Sequence, residues 1–413
     1  MTVLPESKSI AHQDSEISHY GWIVVGMAFL ANLVVYGLVY SFSVFLKPLA
    51  SEFGWSRSVT AGAFGFYGFL HTLLAVLAGR VCDRFGPRWV LSIASFFLGL
   101  SMILMAHITT IWDLYLYYGV FFSIGVAAEY TPVMSTVSQC FKAKRGFAIG
   151  LTAAGLGAGS IVFSPLSAWL ISSFGWRKAY IIVGILSWVV FIPIVKFIKQ
   201  VPDESRERGE FQGFSFSEAF RTRPFWALGF SWFFICIAMW AILIHIVPFA
   251  TDRGMSMMTA GILAGIIGAA SIIGRISAGF LSDKVGRKRV LITEFYVQLI
   301  TFIWLLFSTR IWMLFLFVAL FGLSSGGWAG VIAAFPADYF GFKATGSIFG
   351  FANTLAGVGV AIGPYVGGYI FDSTRSYTYM ILMCIMATIA AIISASLLRP
   401  PLKLSSSRRG QLI

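Results

Sequence analysis

Long apolar runs, repeated along the whole chain, constrain the fold more than any other feature of this sequence. Twelve of them approach or exceed the roughly 20 residues of α-helix that cross the hydrocarbon core of a bilayer. They lie at about 20–46, 59–78, 89–106, 112–139, 146–172, 178–198, 224–250, 258–282, 290–308, 311–338, 345–371 and 377–398. Since backbone polar groups inside a bilayer must bond within the protein, each run predicts a membrane-spanning α-helix. We therefore predict an all-α integral membrane protein.

The composition excludes most soluble classes and gives no sign of a bound cofactor. The chain of 413 residues is 58% hydrophobic and only 11% charged, whereas soluble domains carry about 25% charged residues. Its four cysteines, Cys82, Cys140, Cys236 and Cys384, have no paired spacing. We interpret them as free thiols, and we expect no disulfide, no metal site and no cofactor.

The distribution of charge predicts how the chain crosses the membrane. With the N-terminus in the cytoplasm, 22 of the 30 Lys and Arg fall on cytoplasmic segments, 7 fall outside, and Arg275 is in the membrane. This positive-inside bias predicts that both termini are cytoplasmic. The basic residues are dispersed over short loops, so the net charge of +13 does not indicate nucleic acid. Short loops without glycosylation sequons favour a bacterial inner membrane.

Internal repetition divides the chain into two halves. The hydrophilic stretch 199–223 separates six runs from six, which predicts a tail at 1–19, a bundle at 20–198, a linker at 199–223, a bundle at 224–398 and a tail at 399–413. Segment 78–91 recurs at 278–291, with six of fourteen positions identical. Two related six-helix bundles around a central site are a transporter architecture.

Arg275 lies deep inside one of these apolar runs. A charge at the centre of a bilayer is costly, so such an arginine normally faces a protein interior or a wet cavity. Its planar guanidinium matches a carboxylate. Arg275 therefore predicts a binding site for an organic anion near the middle of the membrane. The alternative is a structural arginine neutralised by a fixed acid.

The repeated loop carries a family resemblance. Both copies resemble the Gly-x-x-x-Asp-(Arg/Lys)-x-Gly-(Arg/Lys)-(Arg/Lys) signature of the major facilitator superfamily, although Pro87 departs from it in the first copy. The matching residues are Gly79, Asp83, Arg84, Gly86 and Arg88, then Gly279, Asp283, Lys284, Gly286, Arg287 and Lys288. The resemblance implies a gating role for these residues. A basic loop that only sets orientation is the alternative.

A narrower resemblance is to the monocarboxylate transporter family. Segments 20–25, 43–49, 52–56, 140–150 and 245–254 are similar to its sequences, and Arg275 stands where that family keeps its substrate arginine. Oxalate/formate-type carriers share much of this pattern. The resemblance implies a substrate site, for which the candidates are Arg275, His245, Tyr130, Asn353 and Tyr36.

The route of the proton is the least determined part of this prediction. Animal members of the family have an aspartate one turn before the arginine, where this chain has Ser271. Glu129, at a depth similar to that of Arg275, and His245, which titrates near neutral pH, are the candidates for proton coupling. We predict that Glu129 faces Arg275 across a central cavity. A permanent salt bridge, and for His245 a structural bond to a backbone carbonyl, are the alternatives.

These observations predict a secondary transporter of small monocarboxylates such as lactate or pyruvate, by proton symport and alternating access. An oxalate/formate-type antiporter is the alternative, and a non-transporting membrane sensor is a third possibility. An enzyme is not expected, because no nucleotide-binding loop, metal cluster or catalytic triad is evident. The expected partners are a small carboxylate, protons and the bilayer, with no nucleic acid, and we expect a monomer.

Overall fold

The structure, a computed structural model, describes residues 6–141, 145–198, 213–341 and 343–399. The side chains of residues 6–19, Asp83, Tyr130 and several of their neighbours fall outside this description. The predicted C-terminal tail and most of the predicted linker also lie outside the described residues.

Helix dominates the described chain, and twelve of the helices are long and apolar enough to cross a bilayer. They are α1 Glu6–Phe53, α2 Arg57–Phe85, α3 Pro87–Met105, α4 (Ile111–Leu114, a π-helical stretch Tyr115–Phe121, and Phe122–Cys140), α5 Arg145–Phe174, α6 Trp176–Phe197, α7 Arg223–Asp252, α8 Met257–Val285, α9 Arg287–Leu306, α10 Ile311–Ile332, α11 Thr345–Thr374 and α12 Thr378–Ser396. Short helices Phe216–Phe220 and Phe335–Phe340 precede α7 and follow α10. The predicted all-α membrane fold is confirmed. Within the described residues, Cys140, Cys236 and Cys384 carry free thiols.

The internal repeat reappears as matched helix ends. Ser56 caps α2 by accepting a hydrogen bond from Val59 N–H, and Ser256, 200 positions later, caps α8 in the same way. At the other end of these helices, Gly86 and Gly286 have φ of 84° and 93°. Side chains with a Cβ rarely adopt this conformation, which explains the glycine at both positions.

Glycines also let helices pack closely inside each bundle. A Cβ atom at Gly159 of α5 would overlap the Leu33 carbonyl of α1, and one at Gly359 of α11 would overlap the Phe233 carbonyl of α7. Small residues at such crossings let two helix backbones approach within a membrane. The same device therefore holds the equivalent helix pair in each bundle.

The two bundles meet along two helix pairs, α2 with α11 and α5 with α8. Gly157 of α5 packs on Gly268 of α8, and Gly357 of α11 packs on Thr72 of α2. About two turns closer to the start of each helix lie Gly150 and Gly350. A Cβ atom added at either glycine would contact no neighbouring side chain or helix within 4 Å. The bundles therefore touch over only part of their length.

The interface has two ends, which we name for what lies at each. The terminus face is where α9 begins and α12 ends, and there Lys288 donates hydrogen bonds to the carbonyls of Ser396 and Leu398. The opposite face is where α1 ends and α2 begins. Close packing between the bundles extends from the opposite face to the level of Gly157 and Gly357.

Candidate functional site

A small cavity of about 50 Å³ lies between the bundles, where the close packing ends. Arg275 supplies its charge. The lining residues come from both bundles: Tyr40, Ser160, Met239, Leu243, Ile267, Gly268, Ser271, Arg275, Ser325, Gly326 and Ala329. Small side chains make the space, since Gly268, Ser271 and Gly326 all lie where helices cross.

The guanidinium of Arg275 reaches from α8 to the other bundle. Its Nη1 donates a hydrogen bond of 3.1 Å to the Ala153 carbonyl on α5, and the Tyr40 hydroxyl of α1 interacts with the same group. Within the described ranges, no carboxylate forms an ion pair with it. A guanidinium carries five donors, so it retains donors for an anion.

Tyr40 is a cavity residue that sequence reasoning missed. Its ring stacks on Trp240 of α7, with centroids 6.1 Å apart and 14° between the planes. The predicted residue, Tyr36, is half-buried one turn earlier, 6.3 Å from the Tyr40 ring, and does not line the cavity. Both tyrosines lie in an apolar helix, and only the packing shows which of them faces Arg275.

Three serine hydroxyls line the cavity, and each one donates its proton to a backbone carbonyl. Ser160 bonds to Ala264 at 2.8 Å, Ser271 bonds within α8 at 2.8 Å, and Ser325 bonds within α10 at 3.0 Å. A hydroxyl that has donated its proton retains only acceptor capacity. Beside Arg275, the cavity therefore offers hydroxyl acceptors.

Glu129 lies apart from Arg275 in this arrangement. Its side chain on α4 is fully buried, and both carboxyl oxygens lack a hydrogen-bond partner in the described part of the chain. It does not line the cavity. The predicted meeting of Glu129 with Arg275 is therefore not seen in this arrangement. A buried, unsatisfied carboxyl is costly in its charged form.

Two other predicted substrate residues are not brought to the cavity. Asn353 is partly buried on α11, and it is not among the lining residues. Tyr130 lies on α4, and its side chain is outside the described residues. Their predicted roles remain predictions.

His245 is fully buried on α7, toward the opposite face. Its Nε2 lies 2.9 Å from the Pro364 carbonyl of α11, and its Nδ1 lies 3.4 Å from the Tyr377 hydroxyl. A carbonyl can only accept, so the bond to Pro364 places the hydrogen on Nε2 and leaves Nδ1 as an acceptor. His245 thus belongs to a second polar group, distinct from the cavity.

This second group closes the opposite face, and we call it the latch. It consists of Lys47, Arg57, Asp252, Asp372, Tyr377 and His245. Asp252 at the end of α7 pairs with the two cations that the other bundle contributes to the latch. Lys47 lies at 2.8 Å, and Arg57 forms a bidentate pair at 2.6 and 3.0 Å. Bidentate pairing fixes geometry as well as contributing energy. We refer below to the opposite face as the latch face.

Asp372 of α11 makes the second connection in the latch. Its carboxylate accepts the backbone N–H groups of Arg57 at 3.0 Å and Ser58 at 2.8 Å, which are unsatisfied donors at the start of α2. An anion at a helix N-terminus is favourable because of these free N–H groups and the helix dipole. The guanidinium of Arg57 also lies 3.8 Å from the centre of the Phe371 ring.

Tyr377 connects the ion pairs to His245. Arg57 Nη1 donates to its hydroxyl, which lies next to His245 Nδ1. Burial raises the pKa of the Tyr377 phenol. The phenol therefore keeps its proton and can donate it to the imidazole.

The repeated loops on the terminus face make no comparable connection. Asp283 is exposed, and no ion pair or hydrogen bond to it is found in the described portion of the protein. Arg84 lies over the Phe85 ring and Lys284 over the Phe280 ring, each within its own helix.

The remaining loop residues bond within their own bundle. Arg287 pairs with Asp338, and Lys288 bonds to the end of α12. Gly79 and Gly279 are half-buried, Arg88 is exposed, and the Asp83 side chain is outside the described residues. The gating role predicted for the two loops thus remains a prediction, since this arrangement shows no bond from them across the interface.

The fold and the cavity between its bundles define a multi-pass membrane transporter. A family model of the Major Facilitator Superfamily matches residues 28–306 and 270–411, so the chain belongs to that superfamily. Its relatives are transporters, which confirms that it is not an enzyme.

Curated relatives of similar length share about a quarter of their residues with this chain. The uncharacterized MFS-type transporter YcxA of Bacillus subtilis is 26% identical, over 88% of this chain and 92% of YcxA. Monocarboxylate transporter 12 of Rattus norvegicus is 25% identical, over 90% and 83%. Monocarboxylate transporter 4 of Mus musculus is 29% identical, over 88% and 80%.

A solved structure supports the fold. A bacterial homolog to the human lysosomal transporter Spinster superimposes with a TM-score of 0.74 at 15% identity, covering 92% of this chain and 97% of that one. At this identity, the similarity concerns the architecture alone.

Proposed function

We propose that this protein is a secondary carrier of small monocarboxylates such as lactate or pyruvate, coupled to protons and working by alternating access. One observation carries the proposal: Arg275 presents to a cavity between the two bundles a guanidinium that has no ion pair among the described residues. A cation at this depth that has no fixed acid is suited to an anion that comes and goes. The relatives named as monocarboxylate transporters support the same class of substrate.

The charge of the cavity favours a monoanion. Arg275 is the one charged residue among those lining the cavity. An oxalate-type dianion would be expected to need a second cation. The basic residues Lys47 and Arg57 lie in the latch and are already paired with Asp252. This distribution favours a monocarboxylate over the antiporter alternative.

The orientation follows from the positive-inside bias, which assigns the terminus face to the cytoplasm. With that orientation, the latch lies on the outside, and the arrangement described here is closed outward. Carboxylate would then leave Arg275 toward the cytoplasm. The division into bundles at 20–198 and 224–398, the bacterial inner membrane and the monomeric state are parts of this proposal.

The test is uptake of labelled lactate and pyruvate into proteoliposomes, with and without an inward proton gradient. Arg275→Lys keeps a positive charge but loses the planar fork. Charge-assisted hydrogen bonds contribute about 1.5–3 kcal/mol, so we expect a loss of roughly tenfold to 100-fold in uptake. Arg310→Ala, an exposed arginine outside the cavity, is the matched control.

Each outcome has a distinct meaning. Gradient-stimulated uptake that is lost in Arg275→Lys and retained in Arg310→Ala supports the proposal. Wild-type protein that takes up neither acid, but exchanges oxalate for formate, would move the assignment to the antiporter class. Full uptake by Arg275→Lys would remove Arg275 from the substrate site.

A further inference from the structure

We propose that His245 controls the latch by protonation: a proton bound at its Nδ1 opens the latch face. This inference rests on the proposed proton coupling, and it gives the proton a site and a mechanical consequence. It concerns residues that lie outside the Arg275 cavity, so it can be tested without substrate.

The hydrogen bonds of the latch form a relay with one direction. Arg57 donates to the Tyr377 oxygen, Tyr377 donates to His245 Nδ1, and His245 Nε2–H donates to the Pro364 carbonyl. Each acceptor in this relay already accepts a hydrogen bond from the donor named before it. The closed latch thus requires an imidazole whose Nδ1 carries no proton.

A proton on Nδ1 removes the acceptor on which Tyr377 depends. The Tyr377 hydroxyl then has to turn away, although Arg57 donates to the same oxygen. His245 is fully buried, so water cannot replace the lost bond in the closed arrangement. A buried polar group left without a partner destabilises the arrangement that contains it.

The charges around His245 oppose a third cation in the latch. Lys47 on α1 and Arg57 on α2 are balanced by Asp252 on α7 and Asp372 on α11. Asp252 is already shared by two cations, and Asp372 is held by backbone N–H groups. An imidazolium adds one positive charge beside Arg57, and the latch offers it no acid that is not already paired.

The packing gives this change a path to α11. His245 Cδ2 would lie 3.2 Å from a Cβ atom at Gly367, so imidazole and helix are in close contact. The next residue, Gly368, packs directly on the backbone of Ser58 at the start of α2. A displaced imidazole therefore acts on the helix that carries both Pro364 and Asp372.

By linkage, closing the latch must expel the proton that opens it. A protonated carrier without substrate would remain open outward, which suppresses proton leak. The anion at Arg275 would offset the added charge and permit closure. Closure would then release the proton as the carboxylate becomes accessible from the cytoplasm.

The test measures the opening of the latch face directly, without substrate. Spin labels are placed at the exposed positions Ser51 of α1 and Ser373 of α11 in a variant without its four cysteines. Pulsed EPR distances are recorded in nanodiscs from about pH 8 to about pH 5.5, the range in which imidazole titrates. We expect acid to raise the ratio of open to closed protein by about fivefold or more, in the usual range of allosteric coupling.

Three variants decide the outcome. His245→Gln keeps hydrogen-bonding capacity without titrating, and it should remove the response to acid. Tyr377→Phe deletes the relay hydroxyl, and it should strongly reduce the response. His107→Gln, at an exposed histidine, is the control and should respond as wild type does. An unchanged acid response in His245→Gln, or none in wild type, would overturn the inference.

The measurement also separates this inference from the proposed function. Arg275→Lys should open with acid as wild type does, because the cavity does not take part in the relay. If wild type opens in acid but takes up neither lactate nor pyruvate, the latch mechanism stands and the substrate assignment fails. If uptake is proton-driven while His245→Gln still opens in acid, the substrate assignment stands and the latch mechanism fails.

Discussion

The latch face and the terminus face carry the same kinds of residues and differ in how these residues are paired. At the latch, two acids of the second bundle hold Arg57 and Lys47 of the first. At the terminus face, Asp283 has no ion pair in the described ranges, and Lys284 lies on a ring of its own helix. The state of each face thus depends on bonds that cross the interface rather than on the amount of charge.

The two halves of the latch itself are also unequal. The Arg57 side chain is 13% exposed and binds Asp252 with two nitrogens, whereas the Lys47 side chain is 33% exposed and binds it with one. Exposed ion pairs contribute about 0–1 kcal/mol, and removing one partner from a buried pair costs more. Arg57 is therefore expected to provide most of the closing energy.

The largest effect is expected from Arg57→Ala, which breaks the latch at its centre. It leaves Asp252 with Lys47 alone and removes the donor to Tyr377. If this costs about 2 kcal/mol, the ratio of open to closed protein rises roughly 30-fold. The measurement is labelling of Ser164→Cys with a membrane-impermeant maleimide, in a background without the native cysteines. Ser164 is fully buried on α5, where Gly261 of α8 packs on it, so a cysteine there becomes accessible only when the latch face opens.

Arg310→Ala is the control for Arg57→Ala, because Arg310 is exposed and forms no ion pair in the described structure. It should label at the wild-type rate. If Arg57→Ala also labels at that rate, the latch does not hold the face closed, and the contrast between the two faces loses its energetic meaning.

A smaller effect is expected from Asp372→Asn, which weakens the second connection of the latch. The amide oxygen still accepts a hydrogen bond from the start of α2, but the negative charge at the helix N-terminus is lost. Loss of a helix cap typically costs about 1 kcal/mol, so labelling should rise by roughly fivefold. Asp113→Asn, at the start of α4, is the matched cap control and should leave latch labelling unchanged. Equal effects of the two variants would show that helix capping in general, rather than the latch, is being measured.

Asp283→Asn tests the other face and should act in the opposite direction. Asp283 makes no bond to the described residues in the arrangement closed at the latch, so we assign any stabilising role to the arrangement open at the latch. We expect labelling of Ser164→Cys to fall by about fivefold, corresponding to about 1 kcal/mol. Asp338→Asn, whose partner Arg287 lies in the same bundle, is the control. No change in Asp283→Asn would favour the loop as an orientation signal only.

The helices were predictable because their signals are local. Each apolar run carries its own evidence of length, and the recurrence of glycines such as Gly159 and Gly359 reports a packing contact that both bundles need. Arg275 was predictable for the same reason, since a charge inside an apolar run is visible without a partner.

The latch was not predictable, because its bonds join residues far apart in the sequence. Arg57 is 195 residues from Asp252 and 315 from Asp372, and each is an ordinary charged residue at the end of a span. Tyr40 was missed for a different reason. Its helix is apolar around its circumference, so periodicity does not show which tyrosine faces the cavity.

The smallest effect is expected from Lys47→Met, and it sharpens the comparison within the latch. The methionine keeps most of the apolar stem while it removes the charge. An exposed pair contributes about 0.5 kcal/mol, so labelling of Ser164→Cys should rise only about twofold. Salt screens exposed charges, so this difference should shrink at about 1 M salt, where the Debye length is near 3 Å, while the Arg57→Ala effect largely persists. A Lys47 effect as large and as salt-resistant as that of Arg57 would mean that Asp252 holds both cations equally. The burial of Arg57 would then not be what makes the latch close.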